Sequence, residues 1–177
     1  WSQSDIKIGD PYLEKYYYAS QYLFACSSRK GKFAPGIWGP FVTKDSTAWG
    51  GDYHLNYNYQ SPYWASYSSN HIALTDGYDA PILAFMPKAK ALARILLNCK
   101  GVYYPVGIGP KGFCSSRFPL TAEKMMHYYH TNEYRIDSGY MFLGQKSDAV
   151  FLTGNMFMRF YCTYDKKYAE KIYPFLL

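Results

Sequence analysis

Five side chains able to do proton or hydrogen-bond chemistry fall on alternate positions: Asp52, His54, Asn56, Asn58 and Gln60. Tyr53, Leu55, Tyr57 and Tyr59 stand between them. In an extended backbone successive side chains point to opposite faces, so this spacing predicts a carboxylate, imidazole and amide face backed by an apolar, aromatic one. A helix would scatter the same groups, because residues two apart do not share its face. Such a wall suits a polar, hydroxyl-bearing ligand, with Trp49 and Trp64 at either end offering ring surface for stacking. Amides orient a ligand or a water but take no proton. A plainer reading stands beside this one: buried amides also tie a loop to backbone groups.

Other chemistries find less support. Cys26, Cys99, Cys114 and Cys162 form no C-x-x-C pair, and no histidine stands at metal-ligand spacing. His127 and His130 share a helix face but lack a third ligand. Ser27, Ser28, Ser115 and Ser116 lack the Gly-x-Ser-x-Gly context of a hydrolase elbow. Gly107-Ile-Gly109 lacks the third glycine and the preceding strand of a dinucleotide site. Met125, Met126, Met156 and Met158 read as core packing. Cys99 and Cys114 bracket a Gly- and Pro-rich loop; a disulfide there would imply an oxidising compartment, and four reduced thiols are the alternative.

The chain has 177 residues, 49% of them hydrophobic, which is enough for one domain with a sizeable core. Only 18% are charged, while aromatics reach 20% with 21 Tyr. That surplus of rings with polar tips suits interfaces and sugar sites. The net charge of +6 is spread thinly: Arg29, Lys30 and Lys32, then Lys88, Lys90 and Arg94, then Lys166, Lys167 and Lys171 among acids. Nucleic-acid binding needs one dense basic stripe, so the charge reads as solvated surface. No apolar run of membrane length and no signal peptide is visible. The chain opens on Trp1 and closes inside an apparent helix, which reads as a piece of a longer protein.

The elements that must hold the wall are mostly helical. Asp10-Pro11 predicts a cap and first turn for a helix from about Pro11 to Ser27. Gly31 to Gly51 reads as an irregular loop, followed by the alternating strand and a helix from about Pro62 to Ser69. Thr75 to Asp79 predicts a turn, and Pro81 to Asn98 a helix that Pro87 kinks or divides. Gly101 to Arg117 is a long loop, Thr121 to His130 a short helix, and Asn132 to Gln145 is ambiguous. Ser147 caps a helix to about Tyr161, with Val150, Phe151, Gly154, Phe157, Met158 and Tyr161 on one side. Asp165 caps a last helix, Lys166 to Leu177. The expected class is mainly α, with long loops gathered at one end.

Pro35-Gly-Ile-Trp-Gly-Pro40, then Trp49-Gly-Gly-Asp-Tyr-His-Leu-Asn-Tyr-Asn-Tyr-Gln60 and Tyr63-Trp64, resembles glycoside hydrolase family 95. Asp10 to Glu14 with Ser27 to Arg29, and Tyr164 to Tyr168 with Tyr173-Pro174, are also similar to helices of that family. The resemblance implies an (α/α)6 toroid, of which residues 1–177 are an N-terminal fragment of one catalytic domain. It implies inverting hydrolysis of α-L-fucosyl or related linkages, without a cofactor or metal, outside the cell or in the secretory or lysosomal lumen. The partners implied are an oligosaccharide or glycoconjugate and the remainder of its own polypeptide, with neither nucleic acid nor membrane.

Asn56 and Asn58 match the family's water-positioning amides. Asp52, His54, Gln60, Trp49 and Trp64 extend the substrate wall. The family's general acid Glu and base Asp lie downstream and have no match here. Glu133 and Asp137 are local carboxylates that read more simply as surface partners of Arg135. The fragment alone is therefore expected to be inactive. Two rivals remain: a non-catalytic carbohydrate-binding or structural protein on the same scaffold, and a basic, Tyr-rich contact module.

Overall fold

The computed structural model describes residues 4–39, 41, 44–45, 47, 51–112, 114 and 145–177. Helix α1 (Pro11–Ser27) starts where expected, because Asp10 accepts from the amides of Tyr12 and Leu13 at 2.9 and 3.2 Å. Glu14 turns back to accept from Ile8 and Gly9, so the entry to the helix is closed by two carboxylates. Much of α1 stays uncovered: Tyr12, Leu13, Tyr16, Tyr22 and Leu23 are exposed. It reaches the core through Phe24, whose ring meets Tyr63 edge-on at 5.1 Å.

Strand β1 (Tyr53–His54) pairs antiparallel with β2 (Gly107–Ile108), Tyr53 opposite Ile108 and His54 opposite Gly107. A 3-10 turn over Ser61–Tyr63 leads into α2 (Trp64–Ser68), a shorter helix than expected, and a second 3-10 turn covers Ile72–Thr75. Helix α3 (Asp79–Leu97) begins two residues before Pro81 and runs unbroken through Pro87, ending at Asn98 in the left-handed conformation. Helices α4 (Asp148–Thr163) and α5 (Lys166–Leu176) follow, the latter capped by Asp165 as its sequence predicts. Ser147 precedes α4 but its hydroxyl makes no cap bond. The mainly α class is as expected. The predicted helix from Thr121 to His130 lies outside the described residues, as does the ambiguous segment from Asn132 up to residue 144.

Part of the tyrosine surplus lies in the core, while Tyr12, Tyr16, Tyr22 and others are exposed. Tyr59, Tyr63, Tyr78 and Tyr104 are among the core's largest fully buried side chains. A buried phenol needs an acceptor, and here most find a backbone carbonyl on another segment. Tyr53 donates to Ala34, Tyr59 to Tyr78, Tyr67 to Asn155, Tyr78 to Leu152 and Tyr104 to Ile82, at 2.6 to 3.0 Å. Each ring contributes apolar burial while its hydroxyl cross-links two elements. Burial raises the Tyr53 phenol to about 12 and pushes that of Tyr78 well above its ordinary range.

Charges join the helices at two places. Asp79, fully buried at the start of α3, accepts from Tyr168 and from the Lys171 ammonium, both at 3.1 Å. Arg159 of α4 pairs with Asp76 and lies 4.7 Å over the Tyr168 ring. Gly112 is required where it stands: at φ +73° a Cβ would sit 2.7 Å from the Ala84 carbonyl of α3.

Of the two alternatives left open for the cysteines, the structure has the reduced one: all four are thiols with no Cys99–Cys114 disulfide, and Cys99 donates to the Ala93 carbonyl at the end of α3. Among the described residues no helix is long and apolar enough to cross a membrane.

Candidate functional site

The wall is built on a strand only at its start. Leu55 donates to the Val106 carbonyl at 2.7 Å, and there the ladder ends. Tyr59 then donates to His54, and Gln60 and Ser61 both donate to Tyr57, so residues 55–60 wind as successive turns. The expectation of an extended segment to Gln60, with strict alternation of faces, is therefore overturned. β2 is two residues long and offers no further ladder, so the motif satisfies its amides locally. Asx-type and glycine-rich neighbours favour such turns, and Pro62 then seeds the 3-10 turn.

This winding sorts the residues differently. Asp52 and His54 remain together: Asp52 Oδ1 is 3.0 Å from His54 Nδ1, with the side chains 7% and 9% exposed. A carboxylate on one ring nitrogen fixes the imidazole's orientation and tautomer. Gln60 turns inward at 1% exposure, and its amide donates to the Leu55 carbonyl. That bond braces the turn from inside, while the Gln60 Oε1 has no hydrogen-bond partner among the described residues.

Tyr57 swings outward to half exposure, against the face predicted for it. Asn56 and Asn58 are half-buried, and neither carboxamide makes a hydrogen bond among the described residues. Amides that merely tied the loop together would have spent their bonds on the backbone. These two remain available to a ligand or a water. Trp49 lies outside the described residues, as do Glu133, Asp137, His127 and His130.

The segment Gly36-Ile37-Trp38 lies against the motif. A Cβ on Gly36 would stand 3.2 Å from the Asp52 carbonyl, so a glycine lets the two stretches meet. Tyr53 reinforces the contact by bonding the Ala34 carbonyl at 2.8 Å.

Helix α4 supplies two residues that the sequence reading missed. Its buried side carries Asp148, Ala149, Leu152, Asn155 and Met156. The more apolar side singled out from sequence faces outward, with Val150, Phe151, Phe157, Met158 and Tyr161 exposed. Apolar content was a poor guide because polar side chains hold α4 to the motif. Asn155 accepts from the Trp64 indole at 3.0 Å and donates to the Gln60 carbonyl at 3.0 Å. The only sequence signal was an asparagine one turn after Leu152, and its partners lie some ninety residues away.

Asp148 is 2% exposed at the first position of α4, and its Oδ2 has no hydrogen-bond partner among the described residues. Burial raises its carboxyl to about 6, an effect that nearby His54 partly offsets. The folded state thus holds this proton more tightly than the unfolded chain, whose carboxyl titrates near 4. Its contribution to stability is fully present below about pH 4 and is lost as pH rises through about 6. Asp148→Asn should therefore gain stability relative to wild type between pH 4 and pH 6, by about 2 kcal/mol, and then level off. Thermal unfolding of both proteins across pH 4 to 7 checks this; a constant difference contradicts it.

The described residues hold no group of three or more His, Cys, Asp or Glu side chains placed to bind a metal. The described site combines paired amides, an oriented imidazole and an exposed indole.

Residues 2–177 match the family model of the glycosyl hydrolase family 95 catalytic domain. The chain belongs to that family. It is also similar to a probable alpha-fucosidase A of Aspergillus niger, 45% identical over 58 residues, or 32% of this chain and 7% of the relative. A probable alpha-fucosidase A of Aspergillus oryzae is 33% identical over 95 residues, 52% of this chain and 13% of the relative. The chain thus spans a small part of the length of the curated relatives it matches. Within family 95, the turn-built motif from Asp52 to Gln60 is the part of the chain on which a functional reading can rest.

Proposed function

We propose that residues 1–177 are the N-terminal part of an (α/α)6 catalytic toroid that hydrolyses α-L-fucosyl or closely related glycosidic linkages with inversion. The observation that carries this is the pair of half-buried amides of Asn56 and Asn58, without hydrogen bonds among the described residues, following the Asp52–His54 pair along a chain of family 95. The name of the Aspergillus relatives supports the sugar.

Inversion places a water opposite the leaving oxygen. A general base takes its proton as the water oxygen bonds to the anomeric carbon, and a general acid protonates the departing oxygen. Asn56 and Asn58 each present a carbonyl acceptor and an N–H donor, so together they fix a water's position and direct its proton towards a carboxylate. The base and the acid come from other parts of the polypeptide. His54, oriented by Asp52, holds a sugar hydroxyl; Trp64, and Trp49 with it, offer ring surface to the sugar's C–H face. Gln60 acts on the substrate through the turn it braces. An extracellular or lumenal place of action, where fucosylated glycans are displayed, goes with this reading. Hydrolysis of a fucosylated oligosaccharide by the full-length protein, with the released anomer identified, is the test.

A further inference from the structure

The motif is graded from a buried polar end to an exposed aromatic one. The side chains of Asp52 and His54 are nearly enclosed, Asn56 and Asn58 are half-buried, and Tyr57 and Trp64 are outermost at 50% and 43% exposure. Tyr57 stands between the two amides in sequence, and its ring meets the Trp64 indole edge-on, centroids 5.5 Å apart at 86°. Two large exposed rings rarely hold one arrangement without support, since side-chain freedom opposes it.

Asn155 supplies that support. The indole N–H can only donate and the Gln60 carbonyl can only accept, so the two bonds fix which end of the Asn155 amide faces which partner. The amide is 2% exposed and both its ends are used. It locks the indole about its long axis and ties it to the last residue of the motif. Tyr67, one turn further along α2, donates to the Asn155 backbone carbonyl and seats the same residue from below.

We propose that Tyr57 and Trp64 form a stacking platform for the saccharide on the leaving-group side of the scissile bond, with Asn155 as the positioning residue that holds it. This rests on the hydrolase reading above. A terminal sugar held by the enclosed polar end leaves its neighbour at the exposed end. The C–H face of a pyranose then lies on the indole, and Tyr57 closes one flank. The platform acts on binding of the second sugar and leaves the chemistry at the anomeric carbon to the amides and carboxylates.

The test compares two substrates of the full-length protein that share one glycone: a fucosylated oligosaccharide, and α-L-fucosyl fluoride, whose leaving group is a single atom. Trp64→Ala and Asn155→Ala are expected to lower the ratio of kcat/KM for oligosaccharide over fluoride roughly ten-fold, through KM for the oligosaccharide. Asn155→His, which keeps one donor and one acceptor, is expected to recover part of that ratio. An unchanged ratio in Trp64→Ala overturns the proposal, whatever Asn155→Ala does to folding.

A wild type that cleaves neither substrate refutes the hydrolase reading separately. The platform is then judged by binding of the oligosaccharide, measured by isothermal titration: binding lost in Trp64→Ala supports it, and equal binding overturns it.

Discussion

Asn56→Ala and Asn58→Ala in the full-length protein are each expected to lower kcat about a hundred- to a thousand-fold, the usual cost of removing one preorganised polar group at a reacting centre. Their effect on unfolding temperature should be small. Both side chains are half-buried and carry no hydrogen bond among the described residues, so truncation breaks no such bond holding the turn. The combination is diagnostic. A residue that merely fastens a loop loses stability and activity together; a residue that orients water loses activity alone. Asn→Asp at either position keeps the shape but replaces two donors with a negative oxygen, and should fare no better than alanine. Initial rates on a fucosylated oligosaccharide, with thermal unfolding beside them, check the pair. Full kcat in either alanine variant removes that residue from the mechanism.

Tyr59→Ala is expected to destabilise the fold by about 3–5 kcal/mol, in the range of large aromatic truncations in a core. Tyr59 is fully buried, stacks on Tyr78 at 5.0 Å and 18°, and touches Tyr53 and Tyr63 as well. Its hydroxyl donates to the Tyr78 carbonyl at 2.6 Å, where the chain enters α3. It follows Asn58 directly, so the same ring that fills the core fixes the register of the amides. Tyr59→Phe keeps the ring and gives up one hydrogen bond, at about 1–2 kcal/mol, and should retain most activity. Denaturant midpoints of the two variants separate these effects. Equal losses in both would mean that the hydroxyl, and not the ring, dominates.

The parts of this structure that were legible in the sequence are those decided over a few residues. Asp10-Pro11 and Asp165 mark helix starts because a carboxylate needs only the next two or three amides to cap a turn. The residue types of the motif were legible too, since Asp52, His54, Asn56 and Asn58 stand out by type and spacing, and the Asp52–His54 pair is present in the structure. Its conformation was not. Alternation predicts an extended strand only if a partner ladder exists, and β2, two residues inside a Gly- and Pro-rich loop, gives no periodic signal. Once the ladder ends at Leu55, local turns carry Gln60 inward and Tyr57 outward.

The orientation of α4 was hidden for a related reason. Its fixed side is chosen by Asn155 and by acceptors for Tyr67 and Tyr78, and those partners lie far away in the chain. The most apolar stripe of α4 remains on the surface, as does much of α1. Asp148 illustrates the same limit: a first-turn aspartate looks like an ordinary helix-start acid until burial beside His54 changes its titration.

The most direct test of the central claim follows the anomeric proton by NMR while the full-length protein acts on an α-L-fucosyl oligosaccharide. The account predicts that β-L-fucose accumulates first and mutarotates afterwards, and that Asn56→Ala and Asn58→Ala slow its release. Initial release of α-L-fucose would contradict inversion, and binding of the oligosaccharide without any release would contradict hydrolysis itself.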